Sequence, residues 1–228
     1  MTQSPNRGRL RIMLASGSPR RRELLTQSGA EVRIHPVGVP EQARAGETPE
    51  QLVQRLADTK AHEALPAAHD GDLVLGADTI VVQDGRILGK PGSTAEAQSM
   101  LQALAGRTHR VLTGLCLIDR STDRRASCVT VSRVRMRPGS SAEIEAYVAT
   151  GSPMDKAGAY GIQDGDINLV DLAAFSDCFT NVMGLPLCRL GQAMSVLGVR
   201  PPIDLDRACQ SYGHHTVAPW NGATPGAV

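Results

Sequence analysis

Residues 10–25 read LRIMLASGSPRRRELL. The apolar run LRIML has the length and composition of a short buried strand. A turn of small and hydroxyl residues follows it. Ser18 is then a good N-cap, and Pro19 fits the first helical position, where its missing N–H costs nothing. Gly29 is placed to stop that helix. The unit is a strand feeding a small-residue turn and a helix N-terminus, and the chain beyond it keeps alternating between the two element types. That pattern predicts an α/β class with a mixed sheet.

Working outward, EVRIHPV (31–37) reads as a strand. Thr48-Pro49-Glu50-Gln51 forms a capping box, and Leu52, Val53 and Leu56 continue a helix to about Leu65. DLVLGADTIVV (72–82) reads as strand, break and strand, with the break at Gly76-Ala77-Asp78. Gln83-Asp84-Gly85-Arg86 signals a tight hairpin. Ser93 and Glu96 make a second capping box, opening a helix that Gly106 stops. RVLTGLCLID (110–119) and SCVTVSRVRM (127–136) read as strands, the second half-buried. Ser140 and Glu143 open another capped helix, ending near Gly151. Residues 158–175 mix loop with strand, and LPLCRLGQAMSVLGV (185–199) is a last amphipathic helix. The predicted organisation is a disordered lead over 1–9, a single domain over 10–199 and an irregular extension over 200–228.

Composition narrows the function. Lys plus Arg number 24 against 23 for Asp plus Glu, so no global basic field argues for nucleic-acid binding. Aromatic residues are 3%, too few for base-stacking platforms. No apolar run approaches the ~20 residues of a membrane span, and the N-terminus lacks a secretory apolar region. The five dispersed cysteines predict reduced, buried thiols and a cytoplasmic location. No Cys/His cluster has zinc-ligand spacing, and the adjacent His214 and His215 read as a solvated pair.

The local chemistry is denser. Arg20, Arg21 and Arg22 occupy a helix first turn, where cations oppose the dipole. In isolation they read as a solvated face. The preceding SGS turn nevertheless offers backbone N–H groups at a helix N-terminus, an anion site that forked guanidinium donors would reinforce. Asp78 lies among small residues that a ligand could approach. Glu41, Lys60 and Lys90 are each unremarkable alone. DKAGAYGIQ (155–163) couples glycines with Lys156 and with Gln163, whose amide could read a base edge.

Together LASGSPRRRELL, GADTIVV, GKP, MDKAGAYGIQ and TNVMGLPL resemble the Maf family of nucleoside triphosphate pyrophosphatases, over about residues 11–198. The resemblance implies a mixed, curved central sheet with flanking helices, forming two lobes around a cleft. It implies hydrolysis of a nucleoside triphosphate to the monophosphate and pyrophosphate with Mg²⁺ or Mn²⁺, and relatives suggest a homodimer. By the same resemblance Ser16, Ser18, Arg20 and Arg21 form a phosphate-binding loop, with Arg22 left solvated. Asp78 matches the general base. Glu41, Lys60, Lys90 and Gln163 match further polar site positions, and Glu41 and Asp78 are the natural oxygen ligands for the metal. Lys156 joins the substrate-binding set. The complete DKAGAYGIQ form resembles the branch acting on dTTP and UTP. A 7-methyl-GTP pyrophosphatase and a nucleotide-binding cell-division regulator are the alternative readings. The chain differs from the family pattern in keeping one carboxylate, Glu41, before the EQ loop. Its stretch 164–179 also has Phe179 in the family's aromatic place and lacks the usual basic residue.

Overall fold

A computed structural model describes residues 10–165, 167–213 and 219–223. The expected lead and the His214-His215 pair lie outside them. A six-stranded mixed sheet forms the centre. Its strands are β1 (Arg11–Leu14), β2 (Glu31–Ile34), β3 (Asp72–Gln83), β4 (Arg86–Leu88), β5 (Thr108–Asp119) and β6 (Arg124–Arg135). The order is β2-β1-β3-β5-β6, with β4 paired to β3. β1 runs parallel to both β2 and β3, whereas β3–β4, β3–β5 and β5–β6 are antiparallel. The helices are α1 (Pro19–Gln27), α2 (Pro49–Ala64), α3 (Thr94–Leu104), α4 (Ser141–Ala149), α5 (Phe179–Val182), α6 (Leu187–Val196) and α7 (Leu205–Gln210).

The cap signals work locally. Ser18 accepts from the Arg21 N–H, and Thr48 and Ser140 each complete a capping box. Ser93 accepts from the Glu96 N–H, but the Glu96 carboxylate bonds the Gly92 N–H, one residue before the expected return.

The break expected at Gly76-Ala77-Asp78 does not occur. β3 runs unbroken, and these three residues pair with Cys116, Leu115 and Gly114 of β5. The strand reads as nearly continuous apolar sequence because both of its faces are covered. Leu73, Leu75, Ala77 and Val81 face the main core. The alternate residues Val74, Ile80 and Val82 pack with side chains of α2 and its surroundings. Gly76 has a packing reason: a Cβ there would stand 2.1 Å from the Ala57 carbonyl oxygen of α2. On β5, a Cβ at Gly114 would stand 2.2 Å from the Val53 carbonyl oxygen. These two glycines let α2 lie directly against the sheet. Asp78 falls on that same face by the two-residue period.

The segment after Arg200, expected to be irregular, contains α7, which packs on α6 and buries Leu205 and Cys209. Tyr212 stacks on Phe179, with ring centroids 6.0 Å apart. The Ala223 N–H bonds the Ser127 carbonyl of β6 at 2.9 Å. The five cysteines are buried thiols, as expected, but Cys178, Cys188 and Cys209 meet in space despite their wide spacing.

Candidate active site

A cleft of about 640 Å³ opens beyond the carboxyl end of β1, where ligands bind in open sheets with parallel strands. Ser16, Ser18, Arg20, Arg21, Glu41, Lys60, Asp78, Lys90, Lys156 and Gln163 all line it. The sequence spreads these ten residues over nearly 150 positions, and the fold gathers every one.

One wall is built by β3 and α2. Lys60, buried on α2, donates to Asp78 Oδ1 at 2.6 Å and to Glu41 Oε1 at 2.9 Å. The contact depends on Gly76 and Gly114, which let the helix lie close enough for its lysine to reach the strand. Glu41 comes from the loop before α2 and is largely exposed. Partial desolvation in the cleft acts to raise its carboxyl pKa, but the Lys60 hydrogen bond, with the charges of Lys60, Lys90 and Arg21, outweighs this and lowers it from its ordinary value. Two carboxylates sharing one ammonium leave hard oxygen donors facing a cleft, a donor set that fits Mg²⁺ or Mn²⁺.

The SGSPRR turn forms the floor. Arg21 is 8% exposed, and three of its donors are committed. Nε bonds the Gly184 carbonyl at 2.8 Å, and the two terminal nitrogens bond Ser16 Oγ and Thr79 Oγ1 at 2.9 Å each. Burial lowers its pKa and Asp78 opposes that; a guanidinium still stays charged at neutral pH. Thr79 in turn contacts Thr113 Oγ1, which donates to the Asn181 carbonyl. The turn is thereby tied to the TNVMGLPL segment. Thr79, Thr113 and Gly184 were not singled out from the sequence. Only the β3–β5 register and a contact across 163 residues reveal them. Arg20 pairs with Asp155 Oδ2 at 2.8 Å across the cleft, whereas Arg22 is exposed.

The opposite wall is residues 152–164. Lys156 Nζ bonds the Ser152 carbonyl at 2.5 Å, Ser152 Oγ at 2.8 Å and Asp155 Oδ1 at 3.0 Å. Asp164 accepts from Ser152 Oγ at 2.8 Å and from the Tyr147 hydroxyl, which itself accepts from the Gly161 N–H at 3.0 Å. A Cβ at Gly161 would stand 2.6 Å from Asp164 Oδ1 and 2.8 Å from Lys156 Cε, so only glycine fits inside this network. Below it, His109 Nε2 and the Tyr160 hydroxyl are 2.6 Å apart and buried. Gln163 and Lys90 are exposed on the cleft rim. Phe179 is absent from the lining; it supports the tail through Tyr212.

The arrangement puts anion-binding groups, a lysine-bridged carboxylate pair and an amide-bearing rim around one ligand-sized space. Residues 11–197 match the family model described as Maf-like protein. The chain is 45% identical over 188 residues to a dTTP/UTP pyrophosphatase of Geobacter metallireducens, covering 82% of this chain and 96% of the relative. It is 48% identical over 187 residues to one of Symbiobacterium thermophilum, covering 82% and 94%. Among solved structures, the Ham1 protein of Staphylococcus aureus aligns with a TM-score of 0.40 at 15% identity, over 70% of this chain and 91% of that one. The chain belongs to the Maf-like protein family.

Proposed function

We propose that this chain hydrolyses dTTP and UTP to the nucleoside monophosphate and pyrophosphate, using Mg²⁺ or Mn²⁺. The observation that carries the reading is the Lys60-bridged pair of Asp78 and Glu41 facing the Arg20–Arg21 turn across one cleft. The names of the similar proteins support the pyrimidine substrates.

The triphosphate lies with its phosphates toward the SGSPRR turn. Backbone N–H groups, Arg20, Arg21 and Lys90 there offset its charge. Asp78 takes the proton of the attacking water as the oxygen adds to phosphorus. The bond to the bridging oxygen between the α- and β-phosphates breaks, and pyrophosphate leaves with the electron pair. Charge builds on that leaving group, so fixed cations beside it lower the barrier more than they favour the ground state. Lys60 keeps Asp78 and Glu41 paired and oriented between turnovers. A divalent ion held by Glu41 and Asp78 would neutralise phosphate oxygens. Gln163 on the rim hydrogen-bonds the base.

The test is pyrophosphate release by the purified protein from dTTP, UTP, CTP, the purine triphosphates and 7-methyl-GTP, with Mg²⁺ or Mn²⁺. The reading expects the highest kcat/KM for dTTP and UTP. Absence of release from every triphosphate would overturn the enzymatic assignment. A preference for 7-methyl-GTP would overturn the substrate.

A further inference from the structure

Cys178 is the N-cap of α5, Cys188 lies in the first turn of α6, and Cys209 lies in α7. Their sulfurs come within 4.8 Å of one another. Cys178 Sγ is 3.9 Å from Cys188 Sγ and 3.5 Å from Cys209 Sγ. Thr180 Oγ1 stands 3.4 Å from Cys178 Sγ and 3.0 Å from Cys209 Sγ. Zinc bonds thiolate sulfur at about 2.3 Å, which sets sulfur–sulfur edges of about 3.8 Å in a tetrahedral site. The Cys178–Cys188 and Cys178–Cys209 separations are close to such an edge, and Thr180 Oγ1, which also accepts the Leu187 N–H at 3.1 Å, lies against two of the three sulfurs.

Two further observations favour a built site over casual packing. Three different helices, α5 through its N-cap, α6 and α7, each contribute one sulfur, and Cys209 on α7 lies beyond the 11–197 stretch of the family match. The site also joins functional and non-family parts of the chain. Thr180 lies on the same short helix as Val182, which lines the cleft together with Met183 and Gly184, and Gly184 holds Arg21. A disulfide would use two of the sulfurs, need an approach to about 2.05 Å and leave the third without a role.

We propose that Cys178, Cys188 and Cys209, with Thr180 at the fourth corner, bind one soft divalent ion of the zinc class that pins the C-terminal extension to the α5 segment. Binding releases thiol protons to solvent as the sulfurs become thiolate ligands. The ion is separate from the hard-cation position at Glu41 and Asp78, and its role is structural because the site is closed by protein.

The test uses the full chain, freed of metal by a chelator under reducing, anaerobic conditions, and titrated with Cd²⁺ and with Zn²⁺. The expected result is one Cd²⁺ per chain with thiolate-to-cadmium ultraviolet absorption, and a rise in Tm with one equivalent of Zn²⁺. Cys209→Ala abolishes both signals. The Cys116→Ala/Cys128→Ala double variant, which removes the other two thiols, keeps them. Pyrophosphate release with Mg²⁺ stays near wild type in both variants. No thiolate absorption in the intact chain would overturn the proposal. So would equal uptake by Cys209→Ala, or recovery of a Cys178–Cys209 disulfide with no metal uptake. If Cys209→Ala does not fold, the double variant decides, because loss of uptake there refutes the site.

Discussion

Two lysines, each 8% exposed, stand on opposite walls of one cleft. Lys60 rides a regular helix against a regular strand, and its acceptors Asp78 and Glu41 come from two other elements and face the cleft. Lys156 sits in an irregular segment, and its acceptors Ser152 and Asp155 come from within four residues of it. Equal burial therefore serves different ends. On the proposed function, the Lys60 wall orients groups for chemistry, whereas the Lys156 wall holds a glycine-rich loop in shape with Gln163 on its rim, placed to meet a base. The same residue type with the same burial is not evidence of the same role; where its partners come from decides.

The contrast can be broken experimentally in order of expected effect. Asp78→Asn removes the proposed base while keeping a Lys60 acceptor. It should lower kcat for dTTP by about 10²–10⁴-fold with the fold intact, read by steady-state kinetics and circular dichroism. Lys60→Met leaves buried Asp78 without its cation. Breaking a buried pair costs about 3 kcal/mol or more, so the urea midpoint should fall together with activity.

His109 tests the opposite wall by pH. Burial lowers its imidazole from 6.5 to about 4. Between those values the unfolded chain binds more protons than the folded one, so stability rises with pH across that window. It is fully present above about 6.5 and is lost as pH falls toward 4, by up to about 3 kcal/mol. Urea midpoints measured across the window should show a shallower fall in His109→Gln than in the wild type. Gly76→Ala forces α2 off β3 and should cost about 1–3 kcal/mol, with a loss of kcat because Lys60 moves with its helix. Tyr147→Phe removes one hydroxyl from the Lys156 network. It should cost about 1–2 kcal/mol and raise KM with kcat little changed. A large kcat loss there would erase the distinction between the walls.

Much of the architecture was legible because it is written locally. Ser18, Thr48 and Ser140 mark their helices through side chains that bond three residues ahead. The hairpin at Asp84-Gly85 declares itself through two residues of positive φ. The false break at Gly76 came from reading a packing glycine as a chain interruption. Its reason is a helix that crosses the strand, which no window of β3 contains. The candidate residues were legible as chemical types in family motifs, but their pairings were not. Lys60 meets Asp78 only through the closeness of α2 to β3, and Arg21 finds Gly184 at the far end of the domain. The cysteine cluster was invisible for the same reason, since Cys178, Cys188 and Cys209 are brought together by the packing of α7 on α6. The extension looked irregular because its helix is six residues long, too short to show a period.

If the Lys60 wall carries the chemistry, kcat depends on Asp78 and not on Tyr147. The most direct test compares pyrophosphate release from dTTP by the wild type, Asp78→Asn and Tyr147→Phe at saturating substrate, with nucleotide binding measured by calorimetry on the same samples. Asp78→Asn should bind dTTP but turn over at least ~100-fold more slowly, while Tyr147→Phe keeps most of its kcat. Wild-type turnover in Asp78→Asn would contradict that role of the Lys60 wall.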